Sequence, residues 1–178
     1  MRTMSPFSEI KAYGNYMYES DEDLSEKIII KYHTIDNKTV PELKQISVGN
    51  WIDLYCAKDT IIKNMELSMV PLGVSMQLPE EYEAHILPRS STFKKHHIIM
   101  ANSMGIVDNS YRGDDDMWYF PAIGIFNSNE EHVIPFGERI CQFRIVKSMP
   151  KIKFNVVDTL DNPNRGGFGS TDNLDLFK

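Results

Sequence analysis

Cysteine is scarce in this chain: its 178 residues include two, Cys56 and Cys141. Neither stands at ligand spacing from the other or from a histidine, so no disulfide framework or zinc site is suggested and both read as buried, reduced thiols. Long apolar runs are missing too. Stretches such as Ile28-Ile29-Ile30 reach three or four residues, far below the roughly 18 needed to span a bilayer. Residues 1–6 lack the apolar stretch and small-residue cleavage site of a secretory leader, which makes the cytoplasm the expected location. Basic residues are not in excess: the net charge of -6 argues against a broad nucleic-acid-binding face, whose affinity comes from clustered Lys and Arg. An anionic small molecule stays open, because it needs only a few local cations. Arg89, Arg112, Arg139 and Arg165 each stand in a distinctive local sequence. No internal repeat is present.

With 42% hydrophobic and 25% charged residues, the composition is that of an ordinary globular domain long enough to bury a core. Residues 1–25 mix Ser, Tyr, Glu and Asp without helical or strand period and read as an N-terminal extension. From Lys27 the chain breaks into short runs rich in Ile, Val, Tyr, Phe and Trp, punctuated by Gly, Pro, Asn and Asp. Strands are expected over 27–33, 51–57, 68–78, 82–87, 117–126, 139–146 and 152–157, with one short helix over 92–98. Alternation in residues 81–87 puts Tyr82, Ala84 and Ile86 on one face, so one face of that strand should be buried. The expected class is all-β, a sandwich, jelly roll or barrel. Residues 26–160 form the β domain. Residues 161–178, glycine-rich at first and without apolar period, read as a flexible C-terminal tail.

Three segments carry candidate chemistry. Residues 102–114 read as two short arms around a polar turn, in which Asp108 and Asn109 serve either a site or only the backbone of a β-turn. Pro88-Arg89-Ser90-Ser91-Thr92 ends a strand and opens the expected helix, bringing a guanidinium and two hydroxyls to a helix start. That arrangement suits a phosphate, and it equally suits ordinary N-capping by Ser90 or Ser91. The run Asn164-Arg165-Gly166-Gly167-Phe168-Gly169-Ser170-Thr171 has the composition of a phosphate loop or of a linker. It is no Walker A loop, because no Lys precedes Ser170-Thr171 and no apolar helix follows.

Taken together and in order, these segments resemble the five motifs of trimeric dUTPases, and the resemblance spans about Trp51 to Thr171. Asp53 in Ile52-Asp53-Leu54 resembles the first motif, with Asn50 and Trp51 where the family has an Ala-Gly pair. Pro88-Arg89-Ser90-Ser91 is similar to the second, residues 105–113 to the third, Gly137-Glu138-Arg139-Ile140-Cys141-Gln142 to the fourth, and 165–171 to the fifth. In the fifth motif the Arg-to-Phe spacing is two residues shorter than usual, and Asp172 stands for the usual Gly. That shortening, with Trp118-Tyr119-Phe120, is similar to dUTPases of Gram-positive bacteria and their phages.

The resemblance implies a jelly-roll-like β-barrel, a homotrimer and Mg2+-dependent cleavage of dUTP to dUMP and pyrophosphate. It implies Asp108 as the general base that orients the attacking water, and Asp53 as an outer-sphere magnesium ligand acting through water. Arg89, Ser90, Ser91, Gln142 and Arg165 would contact phosphates, while Asn102, Gly105 and Val107 frame the uracil. Tyr111 would pack where a 2′-hydroxyl would sit, and Phe168 would cover the base. Two other readings stay open: dCTP deaminase, which shares the fold, and a dUTPase-fold protein that binds a regulatory protein partner. A viral structural jelly roll leaves the motifs unexplained. His96-His97 is read as solvent-facing or structural, because adjacent histidines on a helix cannot both face one metal, and Asp114-Asp115-Asp116 as a solvated turn.

Overall fold

A computed structural model describes residues 27–34, 41–127, 131–164 and 166. Its elements, in chain order, are β1 (Lys31–Thr34), β2 (Ile52–Tyr55), β3 (Thr60–Ile62), β4 (Leu67–Pro71), β5 (Val74–Gln77), β6 (Tyr82–Pro88), α1 (Thr92–His96), β7 (Ile98–Met100), β8 (Gly105–Val107), β9 (Tyr119–Gly124), β10 (His132–Ile134) and β11 (Arg139–Lys147). The all-β expectation with one short helix holds. The strands form a four-stranded sheet β2-β11-β6-β8, a three-stranded sheet β4-β9-β7, and the pairs β1-β5 and β10-β3, every pairing being antiparallel.

The alternation in 82–87 is realised: Ala84 and Ile86 are buried, while His85 and Leu87 are turned partly to solvent. β6 lies in the middle of its sheet, paired with β11 from Tyr82↔Lys147 to Pro88↔Cys141 and with β8 at Ala84↔Val107 and Ile86↔Gly105. The core beneath gathers Leu54, Val70, Leu72, Ile86, Ile98, Phe120, Ile140 and Phe143, all at most 2% exposed. Each such side chain contributes about 1.5–3 kcal/mol by leaving water. Trp118 stands edge-on to Phe143 with ring centroids 5.5 Å apart. Cys56 and Cys141 are buried free thiols, and burial pushes both thiol pKa values up.

Four expectations need correction. The run 68–78 is two strands rather than one: Gly73, at φ +68°, turns the chain from β4, paired with β9, into β5, paired with β1. The helix stops at His96, because His97 takes a left-handed conformation and accepts no further turn, and Ile98 opens β7. Residues 102–114 do not pair with themselves; β8 pairs with β6 instead, and 108–110 is a turn. Residues 152–157 form no strand: apolar, β-prone side chains such as Phe154 (88% exposed) and Val156 (99%) have no ladder partner among the described residues. The packed body runs to Ser148, and every described residue from Met149 onward is exposed. No helix among the described residues is long and apolar enough to cross a membrane.

Candidate active site

The antiparallel register of β2, β11 and β6 places residues from three distant stretches in one row. Gln142 on β11 faces Asp53 on β2 and Leu87 on β6, and Arg89 follows directly after β6. The Arg89 Nε donates to Asp53 Oδ1 at 2.7 Å, and Arg139 Nη1 donates to Asp53 Oδ2 at 3.1 Å. One carboxylate thus holds two guanidiniums, and both of its oxygens are engaged. The Gln142 amide leans toward the Pro88 carbonyl at 3.4 Å, a long contact that leaves it available to a ligand. Ser90 is exposed and Ser91 half-buried in the turn before α1. Ser91 is the N-cap residue, yet its side chain makes no capping bond, so neither the capping expectation nor a structural claim on that hydroxyl is met. The row presents cations, an amide and hydroxyls together, which suits a polyanion.

The second group lies on β8 and the turn beyond it. A Cβ on Gly105 would stand 3.2 Å from Ile86 Cβ and 3.2 Å from Met100 Cε, so any side chain there would need both neighbours to give by a few tenths of an ångström. Asn102 sits in the exposed turn ahead of it, where Met104 N–H donates to the Asn102 carbonyl at 2.6 Å and Ser103 takes φ +62°. Asp108 leaves β8 after Val107 and is exposed. Its Oδ1 accepts both the Ser110 hydroxyl and the Ser110 N–H, the latter at 2.7 Å. Those two bonds hold its carboxyl below the usual range. The Tyr111 hydroxyl donates to the Met117 carbonyl at 3.2 Å, and partial burial with the nearby Asp116 raises its pKa. Asp116 itself closes the loop by accepting Gly113 N–H at 2.7 Å, so the acidic run is a turn with one structural carboxylate.

The structure therefore brings together Asp53, Arg89, Ser90, Ser91 and Gln142, and separately Gly105, Val107, Asp108 and Tyr111. It does not join the two groups within one chain. Val107 pairs with Ala84, whereas Arg89 lies past the other end of β6; the strand between Ala84 and Arg89 covers about 16 Å. Arg165 and Phe168 lie outside the described residues.

Arg139 stands out in the sequence as one of four distinctive cations and as part of the fourth motif; its hold on Asp53 follows from a strand pairing that local sequence does not reveal. Trp51 and Tyr55 share the Asp53 face of β2 and, with Lys44, Ile46 and Arg139, line a cleft beside it. Alternation along 51–55 was the available signal. Of the two adjacent histidines, His97 is exposed and His96 is buried, with Nδ1 3.0 Å from His132 Nε2 and Nε2 3.1 Å from Glu138 Oε1. Among the described residues no three of His, Cys, Asp and Glu converge as a metal cage. The donor set at Asp53, one carboxylate whose two oxygens already hold guanidiniums, fits a hard cation only through that cation's own waters.

The dUTPase family model matches residues 36–172. The SPbeta prophage-derived deoxyuridine 5′-triphosphate nucleotidohydrolase of Bacillus subtilis (strain 168) is 49% identical over 145 residues, covering 82% of this chain and 97% of that protein. The fold is similar to the Staphylococcus bacteriophage 80alpha dUTPase with dUPNHPP, at a TM-score of 0.63 and 18% identity over 80% of this chain and 97% of that one. It is also similar to a mutant dUTPase from phage phi11 of S. aureus, described for its coordination of a structural Mg(II) ion. There the TM-score is 0.61 at 15% identity, over 75% of this chain and 99% of that one. The chain belongs to the dUTPase family.

Proposed function

We propose that the protein hydrolyses dUTP at the α-phosphorus, releasing dUMP and pyrophosphate. The observation that carries this reading is the meeting of Asp53, Arg89 and Gln142 on one row of the sheet, in a chain whose prophage relative is named a deoxyuridine triphosphate nucleotidohydrolase. Arg89, Ser90, Ser91 and Gln142 neutralise and orient the phosphates, and Arg165 adds a further cation from the tail. Asp108, kept ionised by Ser110, accepts the proton of the water that attacks phosphorus. Pyrophosphate leaves with its charge spread over the arginines, so no covalent enzyme intermediate is required. Asp53 would hold Mg2+ through water, and the ion would supply charge neutralisation on the triphosphate.

Selectivity rests on the narrow β8 turn. Asn102, Gly105 and Val107 frame the uracil edge closely enough to exclude a 5-methyl group, while Tyr111, pinned through its hydroxyl to Met117, occupies the space of a 2′-hydroxyl. Phe168 covers the base.

We further propose that the active unit is a homotrimer working in the cytoplasm. The distance along β6 between the two groups supports it, since a base and phosphate ligands that far apart in one chain serve one phosphorus only if a second copy completes the site. A second support is the outer face of β4-β9-β7, where Leu67, Met69, Tyr119, Pro121, Ile123 and Ile99 carry no charge and four of them are exposed. A sheet apolar on both faces is built to be covered. The test is product analysis of the purified protein with Mg2+ and each of dUTP, dCTP, dTTP and UTP. Only dUTP should yield monophosphate and pyrophosphate; dUTP released from dCTP would mean a deaminase, and orthophosphate alone would rule out attack at the α-phosphorus.

A further inference from the structure

The ladder between β6 and β11 is stretched at the point where the phosphate-binding turn begins. Pro88, opposite Cys141, is the last residue of the strand. On the other side of β11 the register against β2 slips between Arg139 and Cys141, leaving Ile140 as the bulged residue. One buried hydroxyl occupies this gap. Thr92 Oγ1, in a residue 1% exposed, accepts the Arg89 N–H at 3.0 Å and donates to the Ile140 carbonyl at 2.6 Å. The direct Arg89 N–H to Ile140 carbonyl contact is long, at 3.4 Å, so the hydroxyl acts as the short link between them. Thr92 N–H returns to the Arg89 carbonyl at 3.0 Å, which closes the turn Arg89-Ser90-Ser91 on itself.

We propose that Thr92 is the positioning residue of the phosphate-binding turn. Its hydroxyl bridges the stretched last rung between Arg89 and Ile140, and so fixes the backbone from which Arg89, Ser90 and Ser91 present their side chains. A valine at this position has the same shape but neither accepts nor donates, so the part-buried Arg89 N–H and the buried Ile140 carbonyl lose their short bonds. The turn then samples other conformations. Because its side chains meet the triphosphate in ground state and transition state alike, the loss should appear mainly in KM.

This inference rests on the dUTPase reading, and the experiment separates the two. Full-length Thr92→Val and Thr92→Ser are compared with the wild type for dUTP turnover and, by calorimetry, for binding of inorganic tripolyphosphate, which reports the turn whether or not dUTP is a substrate. Thr92→Val should raise KM and weaken tripolyphosphate binding about tenfold, with kcat changed by less than about threefold. Thr92→Ser, which keeps the hydroxyl, should recover most of both. A core substitution, Ile62→Val, matched for thermal stability, should leave both at wild-type values. If Thr92→Val does not fold, Thr92→Ala takes its place against Thr92→Ser. Wild-type KM and tripolyphosphate affinity in the hydroxyl-less variant would overturn the inference, and so would a loss that Thr92→Ser does not repair. An inactive wild type whose tripolyphosphate binding still depends on the Thr92 hydroxyl would sink the dUTPase reading and leave the positioning role standing.

Discussion

Replacing Asp53 by Asn removes the one anion shared by Arg89 and Arg139. The Arg89 contact, at 2.7 Å between side chains each 23% exposed, is a partly buried charge-assisted bond, worth about 1.5–3 kcal/mol. The Arg139 contact, at 3.1 Å from a guanidinium 53% exposed, is screened and contributes at most about 1 kcal/mol. Their sum, discounted for that exposure, is about 2–3 kcal/mol, and the freed guanidiniums then repel each other across the gap. At about 2–4 °C per kcal/mol for a chain of this length, Asp53→Asn should lower Tm by roughly 5–10 °C in scanning calorimetry without ligand. Arg139→Gln should cost much less, and the double variant should fall short of additivity by about the Arg139 share. Tripolyphosphate should return part of the loss, because it offers the arginines another anion. A Tm for Asp53→Asn within about 1 °C of the wild type would refute the shared-anion picture.

Four further outcomes follow from the geometry. Asp108→Asn should retain nucleotide binding in calorimetry while kcat falls at least about a hundredfold. Ser110→Ala, by removing the hydroxyl that depresses the Asp108 pKa, should move the acid limb of the kcat/KM profile to higher pH. Tyr111→Ala should raise turnover of UTP relative to dUTP in competition assays, and an unmoved ratio would place sugar selection elsewhere. For His132, burial and the facing His96 lower the pKa below the ordinary 6.5. The unfolded chain then binds the extra proton between the folded value and 6.5, so stability is full above 6.5 and declines as pH falls through that window. Chemical denaturation at pH 7.5 and 5.5 should show a smaller difference in His132→Asn than in the wild type.

Much of this was legible in the sequence because several elements are specified locally. The alternation in 82–87 needs no partner to declare which face is buried, and the motifs single out Asp53, Arg89 and Gln142, which the sheet sets in one row, and Asp108, which it sets apart. Other features depend on what lies across the sheet. Residues 152–157 have strand composition, but a strand exists only where a ladder partner accepts it. Gly73 looked like one glycine in a long apolar run, and only its positive φ reveals a change of sheet. Thr92 reads as the first residue of a helix; its hydroxyl reaches the Ile140 carbonyl 48 positions away, a contact that composition does not mark.

The reaction proposed for this protein is attack of water on the α-phosphorus of dUTP and of no related nucleotide. The most direct test is hydrolysis of dUTP by the purified full-length protein with Mg2+ in water enriched in oxygen-18, with products read by mass spectrometry. The prediction is one heavy oxygen in dUMP and none in pyrophosphate, with dCTP left intact under the same conditions. Heavy oxygen in pyrophosphate and unlabelled dUMP would contradict it.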